Sequence, residues 1–285
     1  MQDVFLSALL VILALLSLFV KNPQLSVIAF GLFGSVLAII WLRLLAPDVA
    51  LVELLLGAGV LSALMMRLSS IKRAFSESFE TVRILKATSV SLIFLLWMIF
   101  PTLDAPQIQR IKPLVFENLK ISGVESPLTA VLLNFRGYDT LLEVLVITIA
   151  VIGVLDLNYK QPEILLKNQF ERSLASIITP FAVFFSFYIT YLGFSSVGGA
   201  FQGGVLLAGA FILMSMVEKK PKKIGITAGI IGLAVFTLVF LLTSPYGKGF
   251  LYLRGEVASY IIMLIELGIL ISTGALLFFA FRGKI

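Results

Sequence analysis

Apolar runs of membrane length follow one another along this chain, and they constrain its fold more than any other feature. A stretch of roughly 18 or more residues with almost no charge reads as a helix solvated by lipid rather than by water. Nine such runs stand at about 3–20, 25–44, 48–66, 88–104, 140–156, 174–193, 203–218, 224–243 and 257–280. They do not alternate apolar and polar residues, so a β-barrel is excluded. The sequence predicts an all-α, polytopic transmembrane protein. Its charged share of 13% agrees, against about 25% in soluble domains.

Loop charge sets the expected orientation. With the amino terminus outside, the inner segments hold 15 basic residues and the outer segments 7. This bias predicts an external amino terminus and a cytoplasmic carboxy terminus. The opening "MQDVFLSALL" carries an acid and no basic residue before Lys21, so the first run reads as a retained span, not a signal peptide. The net charge of +6 is accounted for by basic inner loops and implies no nucleic-acid partner.

Histidine and cysteine are both absent. That removes iron–sulfur ligation, histidine- or cysteine-ligated haem and the usual zinc sites, and no cofactor is expected in this chain. The long connections divide it into a three-span block at 1–70, an amphipathic connector with a two-span block at 71–165, and a four-span block at 166–285. In 67–88, Leu68, Ile71, Phe75, Phe79, Val82 and Leu85 recur at helical spacing among basic residues. This predicts a helix lying on the inner interface or extending the third span. Ser126 before Pro127 predicts a short helix reaching about Leu133.

Acids inside the apolar runs are the first candidates for chemistry. Glu53 follows Asp48 by five residues, roughly 7 Å along a helix, and Glu143 follows Asp139 by four, roughly 6 Å and on the same face. Glu266 stands roughly 14 Å into the last run, near the midplane. None of the nine runs contains an internal lysine or arginine. An ionised acid at a helix centre costs about 2.5–3.5 kcal/mol on insertion scales, so each needs a proton, a cation or a partner from elsewhere. Such acids mark ion or proton paths by default. Their other reading is a neutral glutamate hydrogen-bonded between helices as glue.

Three further patterns are candidates. In "NFRGYDT", Arg136 reaches Asp139 at i+3, and Asp139 suits a helix N-terminus. The pair is an interfacial anchor or an access route to Glu143. In "GFSSVGGAFQGG", Gly198, Gly199, Gln202, Gly203 and Gly204 predict close backbone approach and a tight re-entry into the short seventh run, or unwound backbone beside a polar cavity. Gly203 and Gly204 would open that run. Thr148, Ser186 and Thr190 either continue a polar path or pack between helices.

Two larger stretches resemble a known family. "APDVALVELLLGAGVLSAL" with "SPLTAVLLNFRGYDTLLEVLVITIAVIGVL" resembles the carboxy-terminal region of the MrpA protein of Mrp-type multisubunit cation/proton antiporters. It also resembles matching small subunits of archaeal membrane-bound hydrogenase and sulfur-reducing complexes. "GFSSVGGAFQGGVLLAGAFIL" resembles the MnhB-like (MrpB) protein. The resemblance covers about 1–160 and 165–285. It implies an accessory ion-path component of a sodium/proton antiporter module in a redox-driven respiratory complex, with Glu53 and Glu143 matching the embedded acids of the MrpA-type region. It implies transported H+ or Na+, membrane lipid, other antiporter-like subunits and a hydrogenase or sulfur-reductase arm as partners, and a prokaryotic, archaeal cell membrane as location. The two pieces are fused here and the large antiporter core is absent, so a stand-alone exchanger is not implied. The alternatives are a structural scaffold and an autonomous secondary transporter. Unequal blocks of three, two and four spans without an inverted repeat disfavour the transporter.

Overall fold

A computed structural model describes residues 2–70, 89, 92–93, 111–156, 165–166, 168–217, 226–243 and 255–282. Among them, seven helices are long and apolar enough to cross a membrane, and Ala228–Leu242 forms a shorter apolar helix. No strand occurs among the described residues. The expected fourth span lies outside them, apart from Ser89, Leu92 and Ile93. The basic connector also lies outside beyond Ser70, up to which the helix from the third span continues.

The first two helices, α1 (Gln2–Phe19) and α2 (Pro23–Arg43), form an antiparallel hairpin. Asn22 accepts a hydrogen bond from the Gln24 N–H at 3.0 Å and Pro23 starts the helix, the usual N-terminal chemistry. At the other end, Arg43 Nε donates to Asp3 at 2.6 Å. The third span is composite: α3 (Pro47–Val52), a π-helical segment π1 (Glu53–Leu61) and α4 (Ser62–Ser70).

After α5 (Ile111–Asn118) and a 3₁₀ turn, Ser126 caps α6 (Pro127–Thr129), which widens into a second π segment, π2 (Ala130–Phe135). The short helix read from Ser126 and Pro127 is therefore present, and it is π-helical for most of its length. Five helices complete the bundle: α7 (Gly137–Asp156), α8 (Gln169–Leu192), α9 (Ala200–Val217), α10 (Ile226–Thr243) and the long α11 (Gly255–Arg282).

The centre of the bundle is α11. In its most apolar window 67% of the residues are buried, against 6% in α1, so α11 is wrapped by protein and α1 is peripheral. A helix apolar all round is an interior helix. Ala258, Ile262, Ile265 and Ile269 of α11 pack with Phe236 and Val239 of α10, Val144 of α7 and Leu133 of π2.

Small residues let these helices close on one another. A β-carbon at Gly232 of α10 would lie 2.8 Å from the Gly268 carbonyl of α11, and one at Gly204 of α9 would lie 2.6 Å from Thr273 Cβ. Ser272 of α11 donates to the Gly229 carbonyl of α10. The helix α9 starts at Ala200, so Gly203 and Gly204 lie inside it rather than opening it. Their smallness serves helix contact, with Thr190 of α8 and Thr273 of α11, not re-entry of the chain. The first and last blocks meet where π1 packs on α9.

Candidate functional site

The turn after α8 organises the site. The Gly193 N–H closes the helix on the carbonyls of Ile189 and Thr190, at 3.3 and 3.2 Å. Gly198 and Gly199 then adopt φ of +154° and +142°, the region that favours glycine. The Gly199 N–H donates to the Ile189 carbonyl at 3.0 Å, and the Phe194 carbonyl accepts from the N–H groups of Glu125 and Ser126 at 2.9 and 2.8 Å. Thr129 donates from its hydroxyl to the Gly193 carbonyl. The outer connector is thereby tied to the glycine turn. That turn presents the Gly198 N–H to Asp48 Oδ1 at 3.1 Å.

A cavity of about 290 Å³ opens beneath these contacts. Asp48 from α3, Thr140 and Glu143 from α7, Gly199 of the glycine turn, Gln202 in the first turn of α9, and Glu266 from α11 all line it. Elements from all three sequence blocks therefore contribute a wall. Glu143 is exposed and stands at the rim, Asp48 is half-buried, and Glu266 is only 3% exposed. The Oε2 atom of Glu266 has no hydrogen-bond partner among the described residues. No lysine or arginine among them lines the cavity. An ionised Glu266 would thus rely on a proton or a cation from the cavity for compensation.

The remaining candidates fall elsewhere. Arg136 pairs with Asp139 at 2.8 Å, both exposed enough to meet solvent, at the break between π2 and α7. Neither lines the cavity. Asn134, in the same motif, donates to the Ser122 carbonyl at 2.9 Å and fixes the break from behind.

Glu53 does not share the cavity with Glu143. It begins π1, and its carboxylate is tucked against Gly57 and Gly34, where a β-carbon on Gly34 would lie 3.1 Å from Oε1. Glu53 and Glu143, both read as embedded acids, therefore stand at different places, Glu143 at the cavity and Glu53 in the contact between π1 and α2. Asp48, just over one turn before Glu53, faces the cavity instead.

Thr148, Ser186 and Thr190 each donate to a carbonyl of their own helix, at 2.7, 2.6 and 2.9 Å. They do not extend the cavity. Thr129 and Thr140 do line it, and neither stood out in the sequence. The position of Thr140 directly after Asp139, and three residues before Glu143 on the same helix face, was the available signal.

Fold and site together define a polytopic helical membrane protein with a carboxylate-lined internal cavity. In sequence, residues 8–70 match the family model MbhD, of the MBH complex, and residues 170–279 match the domain related to the MnhB subunit of Na+/H+ antiporters. The chain is 30% identical over 155 residues to the A-type subunit of the Na+/H+ antiporter from Alkalihalophilus pseudofirmus, covering 51% of this chain and 19% of that protein. It is 28% identical over 162 residues to the putative antiporter protein mnhA2 of Staphylococcus aureus, covering 55% and 20%. The chain thus spans about a fifth of the length of these curated relatives.

Its fold matches a chain of the Mrp complex from Dietzia sp. with a TM-score of 0.78 at 19% identity, over 99% of this chain and 34% of that one. It also matches a chain of the archaeal membrane-bound sulfane sulfur reductase with a TM-score of 0.52 at 22% identity, over 72% of this chain and all of that one. The resemblance to Mrp-type antiporter subunits, read first from short motifs, holds for both parts of the sequence. These two sequence relatives are bacterial and lend no support to an archaeal source.

Proposed function

We propose that this chain is an accessory ion-path subunit of an Mrp-like sodium/proton antiporter module, seated in a redox-driven membrane complex. The observation that carries this reading is the convergence of Asp48, Glu143 and Glu266 on one cavity without a basic residue in its described wall. An acid that only glues helices is satisfied by a neighbour, whereas Glu266 lines the cavity and its buried Oε2 has no hydrogen-bond partner among the described residues. The relatives named as antiporter subunits support the module, and the likeness to the sulfane sulfur reductase supports the redox setting.

The ion would be H+ or Na+, moving through a path completed by other antiporter-like and small membrane subunits. A hydrogenase or sulfur-reductase arm would supply the driving reaction. Loop charge favours an amino terminus outside and a carboxy terminus in the cytoplasm. On that orientation Asp48, Glu143 and the glycine turn lie toward the outer face, and Glu266 lies further in.

Purification in gentle detergent tests the reading. Antiporter-like subunits should co-purify with the chain, and the complex, not the chain alone, should translocate ions in liposomes. Exchange by the chain alone would identify an autonomous transporter instead.

A further inference from the structure

We infer that Glu266 is the proton-exchanging carboxylate of the internal cavity, and that it carries a proton delivered by cavity water rather than holding a sodium ion. The inference rests on the ion-path reading and names the ion at this site. It begins from placement. Glu266 lies roughly 16 Å along α11 from Gly255, on the most enclosed helix among the described spans. Its side chain is 3% exposed, and its Oε2 has no hydrogen-bond partner among the described residues. The same residue lines a cavity of about 290 Å³. A water in liquid occupies about 30 Å³, so several fit beside it, with Thr140, Gln202, Asp48 and Glu143 as polar partners.

The charged surroundings are sparse. The helices α9 and α10 and the π2 segment pack on α11 and contain no charged residue. From α3 and α7, Asp48 and Glu143 face the cavity; Glu171, Arg172, Tyr188 and Tyr191 of α8 do not line it. The contact of α4 with α11 is at Phe278 and Phe281, roughly 18 Å or more along the helix from Glu266.

Two consequences follow. No cation among the described residues stands against Glu266 in the wall, so a proton is the simplest charge balance. Among the described residues no three acids come close enough to hold one metal ion, so a sodium ion beside Glu266 would have to take most of its oxygens from groups such as Thr140 and Gln202 and from water. Three separate carboxylates around water suit proton transfer in steps. A hydrated proton in the cavity gives H+ to the Glu266 carboxylate and is left as water, an O–H bond forms, and the neutral acid rests in the apolar interior. Release to another cavity water breaks that bond and restores the carboxylate.

A hydrophobic carbodiimide tests this, because it modifies protonated carboxyl groups within membranes. The whole complex in membrane vesicles is treated over a range of pH, with and without sodium, and modification of Glu266 is read by peptide mass spectrometry. Modification should slow as pH rises, by up to about tenfold per unit above the titration point, and sodium should leave it unchanged. Glu266→Gln should assemble but lower proton translocation about tenfold or more, and Glu266→Asp should restore part of it. Protection of Glu266 by sodium, or no modification at any pH, would overturn the proton assignment. That failure is distinct from failure of the ion-path reading, which would appear as wild-type transport in both Glu266→Gln and Glu143→Gln.

Discussion

Asp48 Oδ1 accepts a hydrogen bond from the Gly198 N–H at 3.1 Å, across 150 positions of sequence. The bond joins the segment matching MbhD to the segment matching MnhB, at the rim of the cavity both enclose. The bond gives Asp48, which follows Pro47 at the start of α3, a partner in the glycine turn.

Asp48→Asn should therefore keep the contact, and Asp48→Ala should lose it. A typical intramolecular hydrogen bond contributes about 0.5–1.5 kcal/mol. Thermal inactivation of the detergent-solubilised complex should show the alanine variant clearly less stable and the asparagine variant close to wild type. Equal loss in both would mean that the charge, not the bond, holds the two segments together.

Gly203→Ala places a methyl group 2.5 Å from the Ser186 carbonyl and against the Thr190 hydroxyl. Overpacking of this kind costs about 1–3 kcal/mol. Gly209→Ala, further along α9, meets nothing within 4 Å. A stability screen should separate the two, with Gly209→Ala at or near wild type.

Glu53→Gln should leave ion translocation near the wild-type rate, because Glu53 faces Gly34 and Gly57 and not the cavity. A transport assay on vesicles settles this. A loss matching that of Glu143→Gln would place a path through the π1 segment.

Arg136→Ala removes an i,i+3 ion pair whose side chains are 67% and 44% exposed. Such pairs contribute about 0–1 kcal/mol. Only a small drop in thermal stability is expected, and translocation should persist. Loss of translocation without loss of stability would make Arg136 part of the access route to Glu143.

Much of this was legible in the sequence because lipid demands long apolar runs and backbone hydrogen bonds closed within each helix. Edges were missed where polar capping residues precede the apolar stretch. The helix α8 begins at Gln169 rather than near 174, because Asn168 accepts from the Phe170 N–H at 3.0 Å and launches it earlier.

At the site, Asp48, Glu143 and Glu266 stood out singly, as acids in or beside apolar runs. Their convergence did not, since no periodic pattern links positions in three separate helices. Glu53 opens a π-helical segment, a local widening of the helix that no apolar pattern in the run announces.

The central claim is that the cavity between the two matched segments is part of an ion path. Translocation by vesicles containing the assembled Glu143→Gln complex tests it most directly, with subunit composition checked in the same preparation. The account predicts intact assembly and a rate lowered about tenfold or more, the range set by losing a positioned proton-transfer group. Wild-type translocation in a fully assembled Glu143→Gln complex would contradict it.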